Sequence, residues 1–227
     1  MIIFIYINME QSQVQFSFYI TYVLLMTTAT VTFIEAMRTN IPNVRHIFNL
    51  ETCISIIAGY FYSIFVAKIN AEGSKVNWNE ISQLRYIDWS ITTPLMLLAL
   101  CLVLANNIKE AVHLGTMAAI ILLNYFMLFV GYLGETSAMS RWMSEFLGFG
   151  AFAGMFYLIY NRYVKKSSGI DNTVLFTMYF TVWSLYGGAY LLEEQNKNIM
   201  FNVLDMFAKC MIGLGLWVYY TKIVKID

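Results

Sequence analysis

Residues 204–213 read LDMFAKCMIG, and their two charges decide how the chain must fold. Asp205 and Lys209 are the only charged residues between Met200 and Tyr220, in a mostly apolar run. A charge at membrane depth costs about 2.5–3.5 kcal/mol even on lenient insertion scales, so both side chains need partners inside a bundle. Their i,i+4 spacing puts them on one face of a helix, about one turn apart.

The rest of the chain supports a bilayer setting. Of 227 residues, 59% are hydrophobic and only 12% charged, whereas soluble domains carry about one quarter charged residues. The formal net charge is zero, which offers no sign of nucleic-acid binding. Cys53, Cys101 and Cys210 sit in apolar stretches without metal or CxxC spacing and read as small core residues. Only two prolines occur, Pro42 and Pro94, and no linker is visible, so residues 1–227 read as one domain. The leader MIIFIYIN (1–8) is too short to span and lacks the basic start of a secretory signal; it reads as lying along the membrane surface or capping the bundle.

A crossing helix needs about 20 apolar residues. Ranges 11–34, 111–134 and 172–192 contain no Asp, Glu, Lys or Arg and are the first, fourth and sixth spans. The second (47–67) carries Glu51, the third (81–104) Arg85 and Asp88, the fifth (142–160) Glu145, and the seventh (199–221) Asp205 and Lys209. The expected fold is therefore an all-α membrane protein, a seven-helix bundle. Lys and Arg in the loops number eight on one side (Arg38, Arg45, Lys109, Arg162, Lys165, Lys166, Lys222, Lys225) and four on the other (Lys68, Lys75, Arg141, Lys197). By the positive-inside rule the N-terminus is outside and the C-terminus cytoplasmic.

RYIDWSITTP (85–94) puts Arg85, Asp88 and Thr92 on one face of the third helix. With Asp205 and Lys209 they form a neutral set that reads either as an ion-pair lock between two helices or as a reactive site. A buried lysine loses its proton readily and can condense with an aldehyde. The resulting cation needs a fixed anion, for which Asp88 and Asp205 are candidates and Arg85 the balancing charge. TVWSLYGGAY (181–190) adds an aromatic stripe, Trp183, Tyr186 and Tyr190, which reads as core packing or as the wall of a slot. Trp89 lies beside Asp88, and Gly187 and Gly188 leave room for close approach.

RYIDWSITTPLMLLA (85–99), WSLYGGAY (183–190) and LDMFAKCMIG (204–213) resemble the third, sixth and seventh helices of microbial, or type 1, rhodopsins. Some features are similar to those of the rhodopsins carried by large algal viruses. The resemblance implies all-trans retinal bound to Lys209 as a protonated Schiff base, with Asp88 as counterion and proton acceptor and Asp205 as second carboxylate. It makes Arg85 the outward arginine, Thr92 the hydrogen-bond partner of the acceptor and Tyr62 that of the second carboxylate. Trp89 and Trp183 would sandwich the polyene, with Thr93, Met96, Met127, Gly131, Tyr186 and Tyr190 around it.

Against that family pattern, Ala99 replaces the cytoplasmic proton donor of bacteriorhodopsin, Lys197 an outer glutamate and Gly187 a proline. Asn124 stands where an aspartate is common and can still hydrogen-bond Thr93. The chloride-pump pattern lacks an acid at the place of Asp88, and Asp88, Thr92 and Ala99 do not match the sodium-pump pattern. His46 and His113 lie near loops, away from the counterion.

Glu51 is eleven residues before Tyr62, roughly 16 Å at about 1.5 Å per residue and on the same helix face. It reads as a snorkelling acid at the membrane edge, or as a gate or substitute donor; Glu35 reads as solvated. The expected function is a light-gated cation channel carrying protons or monovalent cations, with Glu51, Asn124, Asn198 and Asn202 as polar groups along the pore. A light-driven outward proton pump and a photosensor signalling to a partner are the alternatives; none is an enzyme. Membrane lipid is the surrounding partner, and assembly into a homo-oligomer is left open.

Overall fold

In a bilayer every main-chain polar group must be paired within the protein, which leaves helices or a closed barrel. The computed structural model describes residues 2–167 and 170–221. Among them there are seven long helices and no strand: α1 (Ile2–Arg38), α2 (Pro42–Glu72), α3 (Trp78–Asn107), α4 (Leu114–Glu135), α5 (Arg141–Val164), α6 (Ile170–Tyr190) and α7 (Glu194–Thr221). Six are long and apolar enough to cross a membrane. The remaining one, α6, has 21 residues and mixes Thr, Ser, Tyr and Gly into its apolar run. The protein is a multi-pass membrane protein with a seven-helix bundle.

Local chemistry sets several helix starts. Pro42 occupies the first turn of α2, where its missing N–H costs nothing. Asn77, His113 and Ser140 accept from the main-chain N–H of Glu80, Thr116 and Met143 and so cap α3, α4 and α5. Pro94 lies inside α3 and cannot donate to the carbonyl four residues back, that of Ser90. Tyr125 of α4 supplies the missing donor, its hydroxyl lying 3.1 Å from Ser90 O. That cross-helix bond lets the helix run on through the proline. In α7 one wide π-helical turn, Met206–Met211, holds Lys209.

Several boundaries differ from the sequence expectation. Residues 2–8 continue α1 as helix instead of lying along a surface. Glu194–Asn198 begin α7, because their charged side chains pair within the bundle end instead of facing a loop. The sixth helix stops at Tyr190, before the expected end at 192. Cys53 is exposed on the outer face of α2, whereas Cys101 and Cys210 are buried as expected. Glu35 is largely covered and stands 3.9 Å from Arg38, so it is not freely solvated.

Helices adjacent in sequence pack side by side, and α1 closes the ring against α7. The largest buried cluster includes Ile47, Ile54, Leu97, Leu100, Leu104, Phe156, Ile212 and Leu216, and fills the half of the bundle around Glu51. Phe16, Phe33, Leu122, Phe129, Trp142 and Phe146 point outward, as lipid-facing side chains do.

At the other end of the bundle, Lys197 is fully buried. Its Nζ lies 2.7 and 2.9 Å from the two carboxylate oxygens of Glu135 and 2.9 Å from Glu194, while Arg141 bonds the same Glu194. These contacts tie α4, α5 and α7 together. Removing one member of a buried pair costs about 3–5 kcal/mol, because the survivor is left unpaired. Lys197→Met should therefore lower the thermal unfolding midpoint in detergent strongly. Lys197→Met combined with Glu135→Leu should recover most of that loss.

Candidate functional site

The charged residues of α3 and α7 meet in the middle of the bundle. Lys209 Nζ lies 2.8 Å from Asp88 Oδ2 and 3.4 Å from Asp205 Oδ2. Arg85 Nη1 lies 3.7 Å from Asp205 Oδ2. All four residues are at most 1% exposed, so the quartet is shielded from both lipid and water. Charges in such a place persist only when their remaining hydrogen-bonding capacity is met.

Asp205 is well met. The Tyr186 hydroxyl donates to Asp205 Oδ1 at 2.6 Å, and Tyr62 Oη lies 2.9 Å from Asp205 Oδ2. Arg85 is held by Asn198 Oδ1 at 3.1 Å, by the Asn202 amide oxygen and by Tyr62 Oη at 3.1 Å. The guanidinium also lies over the rings of Phe18, Phe65 and Phe201 at 5.0–5.8 Å, close enough for cation–π attraction. Asn202 Nδ2 reaches Ser17 Oγ at 2.8 Å, and Asn198 Nδ2 reaches Ser82 Oγ at 3.1 Å. Ser82 in turn donates to Glu194 at 3.1 Å, so hydrogen bonds run from the quartet to the Lys197 cluster.

Asp88 is less constrained. Among the described residues its buried Oδ1 has no partner, and Thr92 Oγ1 donates to the Asp88 main-chain carbonyl at 2.9 Å. The expected bond from Thr92 to the acceptor carboxylate is thus replaced by one to the backbone, the usual way a helical threonine satisfies its hydroxyl. Asn124 Nδ2 reaches Thr93 Oγ1 at 2.8 Å.

A cavity of ≈ 810 Å³, counting the space at its mouth, runs from Lys209 and Asp205 across the bundle to α5. Trp89, Thr93, Met96, Met127, Gly131, Trp183, Tyr186 and Tyr190, the residues that the resemblance places around a polyene, all line it. Phe149, Phe152, Phe201, Ser144 and Glu145 line it too and were not expected there, and Gly187, read from sequence as leaving room for close approach, is also in the wall. A side chain at Gly131 would come within 2.8 Å of Tyr86 Oη, so glycine keeps that wall flat. Asn198 and Asn202, read from sequence as pore-lining, serve as ligands of Arg85. Their positions, seven and three residues before Asp205, place them on its helix face, and that spacing was a usable signal.

Glu51 sits away from the quartet on α2. It is 2% exposed and does not snorkel, and its Oε1 has no partner among the described residues. Its other oxygen lies 3.0 Å from where a Cβ on Gly213 would stand, so the glycine one turn beyond Lys209 makes room for it.

The family model for bacteriorhodopsin-like proteins matches residues 13–223. The chain belongs to that family. A crystal structure of the viral rhodopsin OLPVRII is 43% identical, with a TM-score of 0.87, over 93% of this chain and 99% of that one. A green-light absorbing proteorhodopsin from Gamma-proteobacterium EBAC31A08 is 27% identical over 149 residues, 59% of this chain and 59% of that protein. Opsin-1 of Neurospora crassa is 26% identical over 147 residues, 58% of this chain and 47% of that protein. The chain thus spans between about half and three fifths of the length of these curated relatives. Members of the family bind retinal through a lysine Schiff base. The cavity fits such a group: it is walled by flat aromatic side chains and closed at one end by a lysine beside two carboxylates. Lys209→Ala should give folded but colourless protein when produced with retinal, read as loss of the visible absorption band.

Proposed function

We propose that the protein moves protons across its membrane under light, from the Glu51 side to the Arg85 side. With the positive-inside orientation this direction is outward. Lys209 would hold retinal, which would supply the light absorption and the change in proton affinity at the lysine nitrogen. Asp88 accepts the proton from Lys209 Nζ, since its Oδ2 is 2.8 Å away and its Oδ1 is unpaired. Asp205, already held by Tyr62 and Tyr186, keeps its charge beside Arg85 and steadies the site. The column Arg85–Asn198–Ser82–Glu194 gives a released proton a hydrogen-bonded way out.

The observation that carries this reading is Glu51. The family resemblance puts a cytoplasmic donor at the place of Ala99, which has no ionisable group and is buried in α3. Glu51, on a different helix, is a single carboxyl in the apolar half, set against Gly213 one turn from Lys209. An acid in that setting can return a proton to Nζ while the apolar cluster around it blocks free passage of hydrated ions. Positioned acids and bases of this kind accelerate proton transfer by about 10²–10⁴-fold.

A channel reading is favoured by one feature, the unpartnered buried oxygens of Glu51, Thr28 and Ser55. Light-induced current measured across a voltage series separates the two. The pump gives a current of one sign at every voltage in symmetric solutions, and a channel gives one that reverses. Glu51→Gln should slow recovery of the dark absorption by about 10²-fold, followed by flash spectroscopy. Asp88→Asn should shift the absorption band to the red and abolish light-driven acidification outside cells, because the fixed anion and acceptor are both lost.

A further inference from the structure

Glu145 lies on α5, one turn in from Arg141, and forms part of the cavity wall. Its carboxylate rests against Gly187 of α6, where an added Cβ would collide with Glu145 Oε1 and the Phe149 ring. The α5 helix packs on α4 and α6, whereas the turn holding Lys209 packs against α1, α2 and α6. Glu145 therefore stands at the end of the cavity remote from Lys209. Among the described residues it has no hydrogen-bond or ion-pair partner. Arg141 is engaged with Glu194 and Glu135.

Two carboxylates flank Nζ at one end of the cavity, and one carboxylate stands at the other. The ends act oppositely on colour. A protonated polyene carries its positive charge mainly at the nitrogen in the ground state, and excitation moves that charge along the chain, away from nitrogen. An anion beside nitrogen lowers the ground state and widens the gap. An anion at the far end lowers the excited state and narrows it. Coulomb attraction falls with distance, so each anion acts mostly on the end it touches.

We propose that Glu145 is a colour-setting residue, whose carboxylate in its ionised form, at the remote end of the cavity, shifts the absorption of the bound retinal to the red. The proposal rests on reading the cavity as the retinal site. Absorption maxima of the purified wild-type, Glu145→Gln, Glu145→Asp and Asp88→Asn proteins, compared from neutral to alkaline pH so that the carboxylate is ionised, test it. Glu145→Gln, which keeps the shape and removes the charge, should move the band to the blue by on the order of 10 nm. Glu145→Asp should stay near wild type, and Asp88→Asn should move the opposite way. A purely packing role for Glu145 predicts no such dependence on charge. An unshifted or red-shifted band in coloured Glu145→Gln protein overturns the proposal. Colourless wild-type protein overturns the retinal reading and the proposal with it. Should Glu145→Gln fail to give stable protein, Gly187→Ala takes its place. Its new methyl pushes the carboxylate off the wall and should also shift the band to the blue, and an unshifted band there overturns the proposal.

Discussion

The ion pair between Lys209 and Asp88 governs the rest of the structure. A lone ammonium in the middle of the bundle would be too costly, and a single carboxylate beside it leaves the second acid of α7 uncompensated. Arg85 supplies the fourth charge, and the large buried guanidinium creates its own demands. Asn198, Asn202 and Tyr62 exist in this arrangement as its hydrogen-bond acceptors, and Phe18, Phe65 and Phe201 as its aromatic cage. One face of α7 is polar for that reason, although the helix lies within a membrane protein.

The two halves of the bundle are built from different materials. On the Arg85 side, amides, hydroxyls and charges join the quartet to the Lys197–Glu135 pair without an apolar break. On the Glu51 side, leucine, isoleucine and phenylalanine side chains close the space between helices. In the reading proposed above, a proton leaving Lys209 toward Asp88 enters a hydrogen-bonded network, and one arriving from the other side uses Glu51 as its carboxyl stepping-stone. In the proposed pump, this asymmetry together with Glu51 sets the direction of transport.

Glycine permits two of the unusual carboxylate placements. Gly213 leaves space for Glu51 on α2, and Gly187 leaves space for Glu145 on α5. In each case the glycine and the acid lie on different helices, so the missing side chain and the added charge are complementary only once the helices are packed. Small residues bring helices close in membranes. Here the space they free is taken by an acidic side chain instead of a backbone.

Much was legible from the chain alone. The length of the apolar runs and the scarcity of charge determined the seven spans, because a bilayer tolerates few alternatives to the helix. The i,i+3 and i,i+4 spacing around Asp88 and around Lys209 determined which charges could share a face, and the RYIDWSITTP and LDMFAKCMIG motifs marked the family. Partnerships between helices were not legible, since they depend on helix rotation and depth that no local spacing records. Packing decided that Lys197 turns inward to Glu135, that Thr92 bonds the backbone and leaves Asp88 Oδ1 free, and that Tyr186 both lines the cavity and holds Asp205. It also decided that Glu51 is enclosed instead of snorkelling, because only the space above Gly213 lets a carboxyl remain inside the apolar half.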